Sequence, residues 1–230
     1  IHNRHGVGLA RKIGCDVILQ LYRANCIRSP WLRTTDADVV LPDVYFNTEI
    51  SGAAGFLYPF RHSPESLEGN PLYRQPAEER LAASLYDLSL LYYPAGLRRA
   101  GSLYGFPAVG STLCCAVDAY AHIRGFPKRN TGEDFYLLNK LCKVGPVKAV
   151  NCSPIELSSR LSTRVPIGTG QAIARISDLD NPIDEFQFEH PDCFKRLDGF
   201  LQRLRPIPYS GETDLLNHEQ TPSLYAETSG

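Results

Sequence analysis

Residues 33–46 read RTTDADVVLPDVYF, two aspartates one residue apart between a β-like run and a proline. Trp31 to Thr35 reads as a short strand that runs into an Asp36-Ala37-Asp38 turn. Pro42 then stands at the first position of a helix expected to run through Ile50. This places both carboxylates at the C-terminal end of a strand, the edge of an open α/β sheet where loops and helix N-termini converge on ligands. Two carboxylates at i and i+2 repel each other, and a hard divalent cation with oxygen ligands relieves that repulsion. Magnesium or manganese suits such a pair better than zinc, with a substrate diphosphate completing the ligand set. On spacing alone the stretch is equally well a solvated turn, because Asp is common in turns.

Upstream, Val7, Ala10, Ile13, Val17 and Leu21 recur at spacings of three and four between Gly6 and Ile27, the mark of an amphipathic helix, with a break expected near Gly14. Arg4, Arg11, Lys12 and Asp16 fill its other faces. Downstream, Gly52 to Phe60 reads as a strand, Ser63 to Pro76 as a polar loop able to act as a lid, and Ala77 to Arg99 as a long helix. Ser111 to Val117 reads as a buried strand, followed by a helix over residues 119–124 that Asp118 caps and Gly125-Phe126-Pro127 ends. A helix follows from Glu133 to Val144, closed by Gly145-Pro146, and then a strand from Val147 to Cys152. LSSRLSTRVPIGTGQA, residues 157–172, reads as a polar loop, Pro191 to Leu204 as an amphipathic helix, and the last residues as poorly ordered.

The second acidic pair, Glu133-Asp134, follows Gly132, a residue that lets backbone approach a ligand closely. Acidic residues in a first helical turn are favoured by the helix dipole without any function. Two acidic pairs, each at a strand or loop end, do more together. One can hold a metal diphosphate while the other accepts a proton.

Composition narrows the alternatives. The chain has 230 residues, 43% of them apolar, enough for one large or two small domains with a buried core. With 24 Lys and Arg against 25 Asp and Glu, no overall field favours nucleic acid or a charged membrane, and membrane contact is at most peripheral. Seven scattered cysteines without a CxxC pair suggest reduced thiols and a cytoplasmic setting. No run of about 18 apolar residues spans a bilayer. The chain starts at Ile1 and contains no Met, so further sequence is expected before it.

The chain resembles the glycosyltransferase family 2 group, inverting enzymes of the GT-A fold that use nucleotide-sugar donors. The likeness runs from about Gly6 to Ala172. It rests on GVGLARKIGCD (6–16), on TTDADVVLPDVYF (34–46) and on GSTLCCAVDAYAHIRGFPKRNTGEDFYLLNKLCKVG (110–145). The last segment is similar to the family's succession of strand, small helix, Gly-Phe turn and Glu-Asp helix. The resemblance implies an α/β fold, a Rossmann-like GT-A sandwich incomplete at its N-terminus. A partial catalytic domain would cover residues 1–175, and a C-terminal helix and polar tail residues 176–230.

The roles carry over by position. Asp36 and Asp38 match the metal motif, with Asp38 the closer ligand to Mg2+ or Mn2+. Asp134 matches the general base, and Glu133 would orient it or touch the acceptor. Arg160 and Arg164 lie where the family often has a mobile loop over the donor, although both suit an ordinary polar surface as well. The implied partners are a nucleotide-sugar donor and a sugar or lipid-linked acceptor. Two strands that begin other members, with an aspartate that reads the nucleotide base, have no counterpart here.

Competing readings are weaker. Haloacid-dehalogenase-like phosphohydrolases also use Asp-x-Asp followed by Thr or Val, but an apolar run precedes their first aspartate, where this chain has Arg33, Thr34 and Thr35. Their later Gly-Asp-x-x-x-Asp meets Gly-Glu-Asp here, with Leu137 in the last place. A non-catalytic GT-A remnant that binds a partner or a glycan is the other alternative. His62 and His122 stand alone without a second histidine at i+3 or i+4, and Gly6-x-Gly8 lacks a preceding strand and a third glycine.

Overall fold

A computed structural model of the chain describes residues 6–63, 77–159 and 168–204. Among them are seven α-helices and two mixed sheets, an α/β architecture. The first sheet has the order β1-β5-β3-β6, built from β1 (Trp31–Arg33), β5 (Leu113–Ala116), β3 (Gly55–Leu57) and β6 (Val147–Ala149). β5 is antiparallel to both neighbours, while β3 and β6 run parallel. The second sheet has the order β2-β7-β4, from β2 (Val39–Val40), β7 (Ile155–Ser158) and β4 (Phe60–Ser63), with β7 and β4 parallel.

The single strand expected from Gly52 to Phe60 is therefore two strands in different sheets. Pro59, which has no N–H to give a ladder, marks the change; its carbonyl accepts the Ile155 N–H at 2.8 Å and starts the second sheet. The Asp36–Asp38 turn lies between β1 of one sheet and β2 of the other. Both sheets thus converge on it.

α1 (Val7–Arg23) is one unbroken helix, and a Cβ at Gly14 would point into open space. Its packing face is not the stripe that periodicity picks out. Val7, Ile13, Val17 and Leu21 are between 39% and 57% exposed, whereas Cys15 is buried and Ile18, Leu19 and Tyr22 pack with Leu32, Leu137 and Leu138 in the main core. Tyr120 of α3 (Val117–His122) holds that orientation, its hydroxyl donating to Asp16 Oδ1 at 2.9 Å. With this face inward, Arg11 points at the interior rather than at solvent.

α4 (Glu133–Leu141) buries Leu137, Leu138 and Leu141 in the same core. Asp118 lies in the first turn of α3 and does not cap it; Ala116 is the N-cap. The helix expected from Pro42 through Ile50 is instead a run of turns over residues 43–47. One apolar anchor, Tyr45, sinks into the second core with its ring 4.6 Å from Tyr58, and Thr48 Oγ donates to the Val44 carbonyl at 2.7 Å, which favours a closed turn over propagation.

α2 (Ala77–Arg99) has the bounds its periodicity implies. Against it lie α5 (Thr169–Ser177), α6 (Pro182–Glu185) and α7 (Pro191–Leu204). Residues 157–172, expected as a polar loop, contain the end of β7 and the start of α5; only Ile173 and Ile176 anchor that helix, and two glycines at its start disguise it. No helix among the described residues is long and apolar enough to cross a membrane.

Candidate functional site

Three elements bring the acidic motifs together. β1 extends past Arg33 because the Thr34 N–H donates to the Leu113 carbonyl at 2.9 Å and the Thr34 hydroxyl to the Gly110 carbonyl at 2.8 Å. This fastens the start of the aspartate turn to a 3-10 turn, Gly110–Thr112, that leads into β5. Ser111 Oγ then donates to Asp36 Oδ2 at 2.6 Å.

From the other side, Arg11 Nη2 donates to Asp36 Oδ1 at 2.7 Å and Arg11 Nη1 to Glu133 Oε1. The Arg11 and Glu133 side chains are only 11% and 5% exposed, whereas Asp36 is 49% exposed. The arginine is thus a buried link between the two acidic motifs, with one end reaching the surface. Gly110 makes room for it, since a Cβ at that position would collide with the Arg11 guanidinium.

Gly132, the N-cap of α4, has φ 69°, a left-handed conformation that glycine adopts without a Cβ penalty. A Cβ there would meet only Tyr136 at 4.0 Å, so the turn, rather than close approach, calls for glycine. That turn sends Glu133 into the core and leaves Asp134 half-buried beside it. Asp134 Oδ1 accepts the Phe135 N–H at 2.7 Å.

Burial raises the Glu133 carboxyl above the ordinary value, with Arg11 opposing it and the Asp134 charge adding to it. Burial also raises Asp134, against the Phe135 N–H, Arg11 and the Gly110 N–H, which favour its ionised form. A carboxylate with raised proton affinity, partly open to solvent, suits proton abstraction better than an ordinary surface aspartate.

Asp38 is partly buried on the far side of the turn from β1. Both oxygens of Asp36 are engaged, by Arg11 and by Ser111, which holds that carboxylate in one place in the turn. Among the described residues no group of three or more His, Cys, Asp and Glu side chains is placed to hold a metal ion. Magnesium is also bound by one or two carboxylates completed by water and substrate phosphates.

Sequence reasoning placed Asp36, Asp38, Glu133, Asp134 and Gly132, and the structure gathers Asp36, Glu133 and Asp134 around Arg11 and the Gly110–Ser111 turn. Arg11, Gly110 and Ser111 were missed as site residues. Arg160 and Arg164 lie outside the described residues. All seven cysteines are free, and burial pushes the Cys15 and Cys114 thiols up to about 11 and about 12, which makes them inert packing groups. Two surface clefts, one lined by Arg98, Phe106 and Val147 and one by Lys12, Tyr120 and Arg124, contain none of the site carboxylates. No protein-family model, curated protein or solved structure matches the chain.

Proposed function

We propose that the chain is the catalytic region of a metal-dependent, inverting glycosyltransferase of the GT-A type that moves a sugar from a nucleotide-diphosphate donor to an acceptor hydroxyl. The observation that carries this reading is the Arg11 bridge. It joins an aspartate turn at a strand end to a Glu-Asp helix start far away in the chain, as a site with a donor side and a proton-accepting side requires.

Asp38 would hold Mg2+ or Mn2+ together with the donor phosphates. The cation, when bound, neutralises charge that grows on the leaving diphosphate. Asp134 takes the proton of the acceptor hydroxyl as its oxygen attacks the anomeric carbon from the face opposite the diphosphate, and the single displacement inverts configuration. Glu133, buried and paired with Arg11, fixes the start of α4 and so the direction of Asp134. Asp36, tied down by Arg11 and Ser111, keeps the turn that presents Asp38 in one shape.

A thermal-shift panel of nucleotide-sugars with manganese tests the proposal. At least one nucleotide-sugar is expected to stabilise the protein in a manganese-dependent way, and Asp38→Ala to abolish that shift. A manganese-dependent shift of equal size in the variant would remove Asp38 from the donor site; no shift with any donor would count against the transferase reading itself.

A further inference from the structure

The cleft lined by Lys12, Tyr120 and Arg124 lies outside the carboxylate site and has a chemistry of its own. α1 lays Lys12, Asp16 and Arg23 along one wall, and the Arg124–Gly125 turn that follows α3 forms the other. Three cations thus share a recess of about 330 Å3 with one carboxylate. That carboxylate is already engaged. Asp16 Oδ2 pairs with Lys12 Nζ at 3.0 Å, and Asp16 Oδ1 accepts the Tyr120 hydroxyl at 2.9 Å. Arg23 and Arg124 are exposed, and neither has an ion-pair partner among the described residues.

Cations near a helix C-terminus are favoured by the helix dipole and need no ligand for it. Here that role is filled by other groups. α3 closes on itself, with the Arg124 N–H donating to the Ala121 carbonyl at 3.0 Å and the Gly125 N–H to the Tyr120 carbonyl at 2.9 Å. Lys12 Nζ donates to the Arg124 carbonyl at 3.3 Å, and Lys140 Nζ to the Gly125 carbonyl at 2.8 Å. The end of α1 closes likewise, the Cys26 N–H donating to the Leu21 carbonyl at 2.9 Å. Both arginine side chains are surplus to the helix ends. The crowding of positive charge reaches Lys140, whose ammonium is lowered by burial and lowered further by Lys12 and Arg124.

Arg124 also stands where its backbone favours another residue. Its φ is 63°, a left-handed conformation that glycine adopts freely and arginine only at a cost. The next residue, Gly125, must be glycine for space, since a Cβ there would lie 2.6 Å from the Tyr120 hydroxyl oxygen. At Arg124 the side chain is carried in spite of the backbone, and it opens on the cleft.

We propose that this cleft is an anion site that takes a phosphate group, with the Arg23 and Arg124 guanidiniums bonding to its oxygens and Lys12 adding positive charge beside them. A planar guanidinium can meet two phosphate oxygens at once, which an ammonium cannot. A recess of about 330 Å3 is at the small end of ligand cavities, with room for a small phosphorylated molecule or one lipid headgroup. None of the site carboxylates lines it, so binding here needs no metal and does not depend on the transferase reading.

Isothermal titration calorimetry with inorganic phosphate and with glycerol phosphate tests the site, in the presence of a chelator that removes any metal-held phosphate at the aspartate turn. Flotation with phosphatidylcholine vesicles, with and without phosphatidic acid, covers the lipid source. The wild-type protein should bind at least one of these phosphate probes saturably. Arg124→Gly and Arg23→Gln should each weaken that binding roughly tenfold, the effect of one lost charge-assisted hydrogen bond. Arg124→Gly also relieves the left-handed strain, so its melting temperature should match or exceed that of wild type while binding falls. An arginine that served only the fold would not separate the two readouts, and Arg23→Gln reports on the site from α1 independently. Binding of the free phosphates assigns a soluble ligand, and binding of phosphatidic acid vesicles alone assigns a headgroup. No binding of any probe, or binding that either variant leaves unchanged, overturns the site, whatever manganese-dependent nucleotide-sugar binding shows.

Discussion

Arg11, from the second turn of α1, and Glu133, the first residue of α4, form an ion pair almost wholly removed from water, and the same guanidinium reaches Asp36 at the surface. A buried pair is costly to break from one side, because the remaining charge stays without a partner. The two acidic motifs are thereby coupled through a single cation.

Replacing Arg11 with Ala should destabilise the fold by about 3 kcal/mol, since Glu133 is then left buried and uncompensated. Arg11→Lys should recover part of this, because an ammonium keeps the charge but cannot fork to two carboxylates. Urea unfolding of the two variants measures both effects. Equal stability of Arg11→Ala and wild type would show that the bridge holds nothing together.

Gly110→Ala acts on the same bridge from below. Its methyl group would occupy the place of the guanidinium, a flexible side-chain end that can swing away. The expected cost is about 1–2 kcal/mol, less than that of Arg11→Ala because no charge is deleted. In an Arg11→Ala background the same substitution should cost little more, and a double-mutant cycle reads that non-additivity. Additive effects would place Gly110 outside the bridge.

Stability should also depend on pH with a definite sign. Glu133 and Asp134 bind protons more tightly in the folded chain than at their ordinary values of 4.5 and 3.8. The folded state thus holds more protons between those values and the raised ones. The stabilising contribution of these two groups is fully present below the ordinary values and is lost as pH rises through the raised ones. Thermal melts across the acid range should show wild type losing stability relative to Asp134→Asn with rising pH. The opposite slope in that difference would contradict the burial of Asp134. The acid limb of any transfer activity should correspondingly lie above 3.8, because Asp134 must be ionised to accept a proton.

Much of the site was legible from short-range pattern. Asp36 and Asp38 stand at a strand end because a β-like run precedes them, and Glu133-Asp134 opens a helix because Gly132 precedes an apolar 3.6 repeat; both are local facts. α2 was equally plain, a long repeat with acidic residues at one end and basic ones at the other. Arg11 was not legible. α1 carries apolar residues on two faces, and the more regular stripe, with Ile13 and Val17, is the one left exposed. Which face packs is decided by distant contacts, the Tyr120–Asp16 hydrogen bond and the Gly8 N–H to the Arg129 carbonyl at 3.1 Å. The second sheet was hidden for a related reason: β2 has two residues and gains its identity only by pairing with β7.

The central claim is that Asp134 accepts the proton in a transfer reaction whose donor is held elsewhere in the same site. It is tested most directly by comparing wild type and Asp134→Asn in two assays on the same sample, manganese-dependent nucleotide-sugar binding and sugar transfer to an acceptor. Asparagine keeps the shape and cannot take the proton, so donor binding should be unchanged within about twofold while transfer falls by a factor of at least 100, in the range typical of general-base loss. Transfer by Asp134→Asn at the wild-type rate would contradict the assignment.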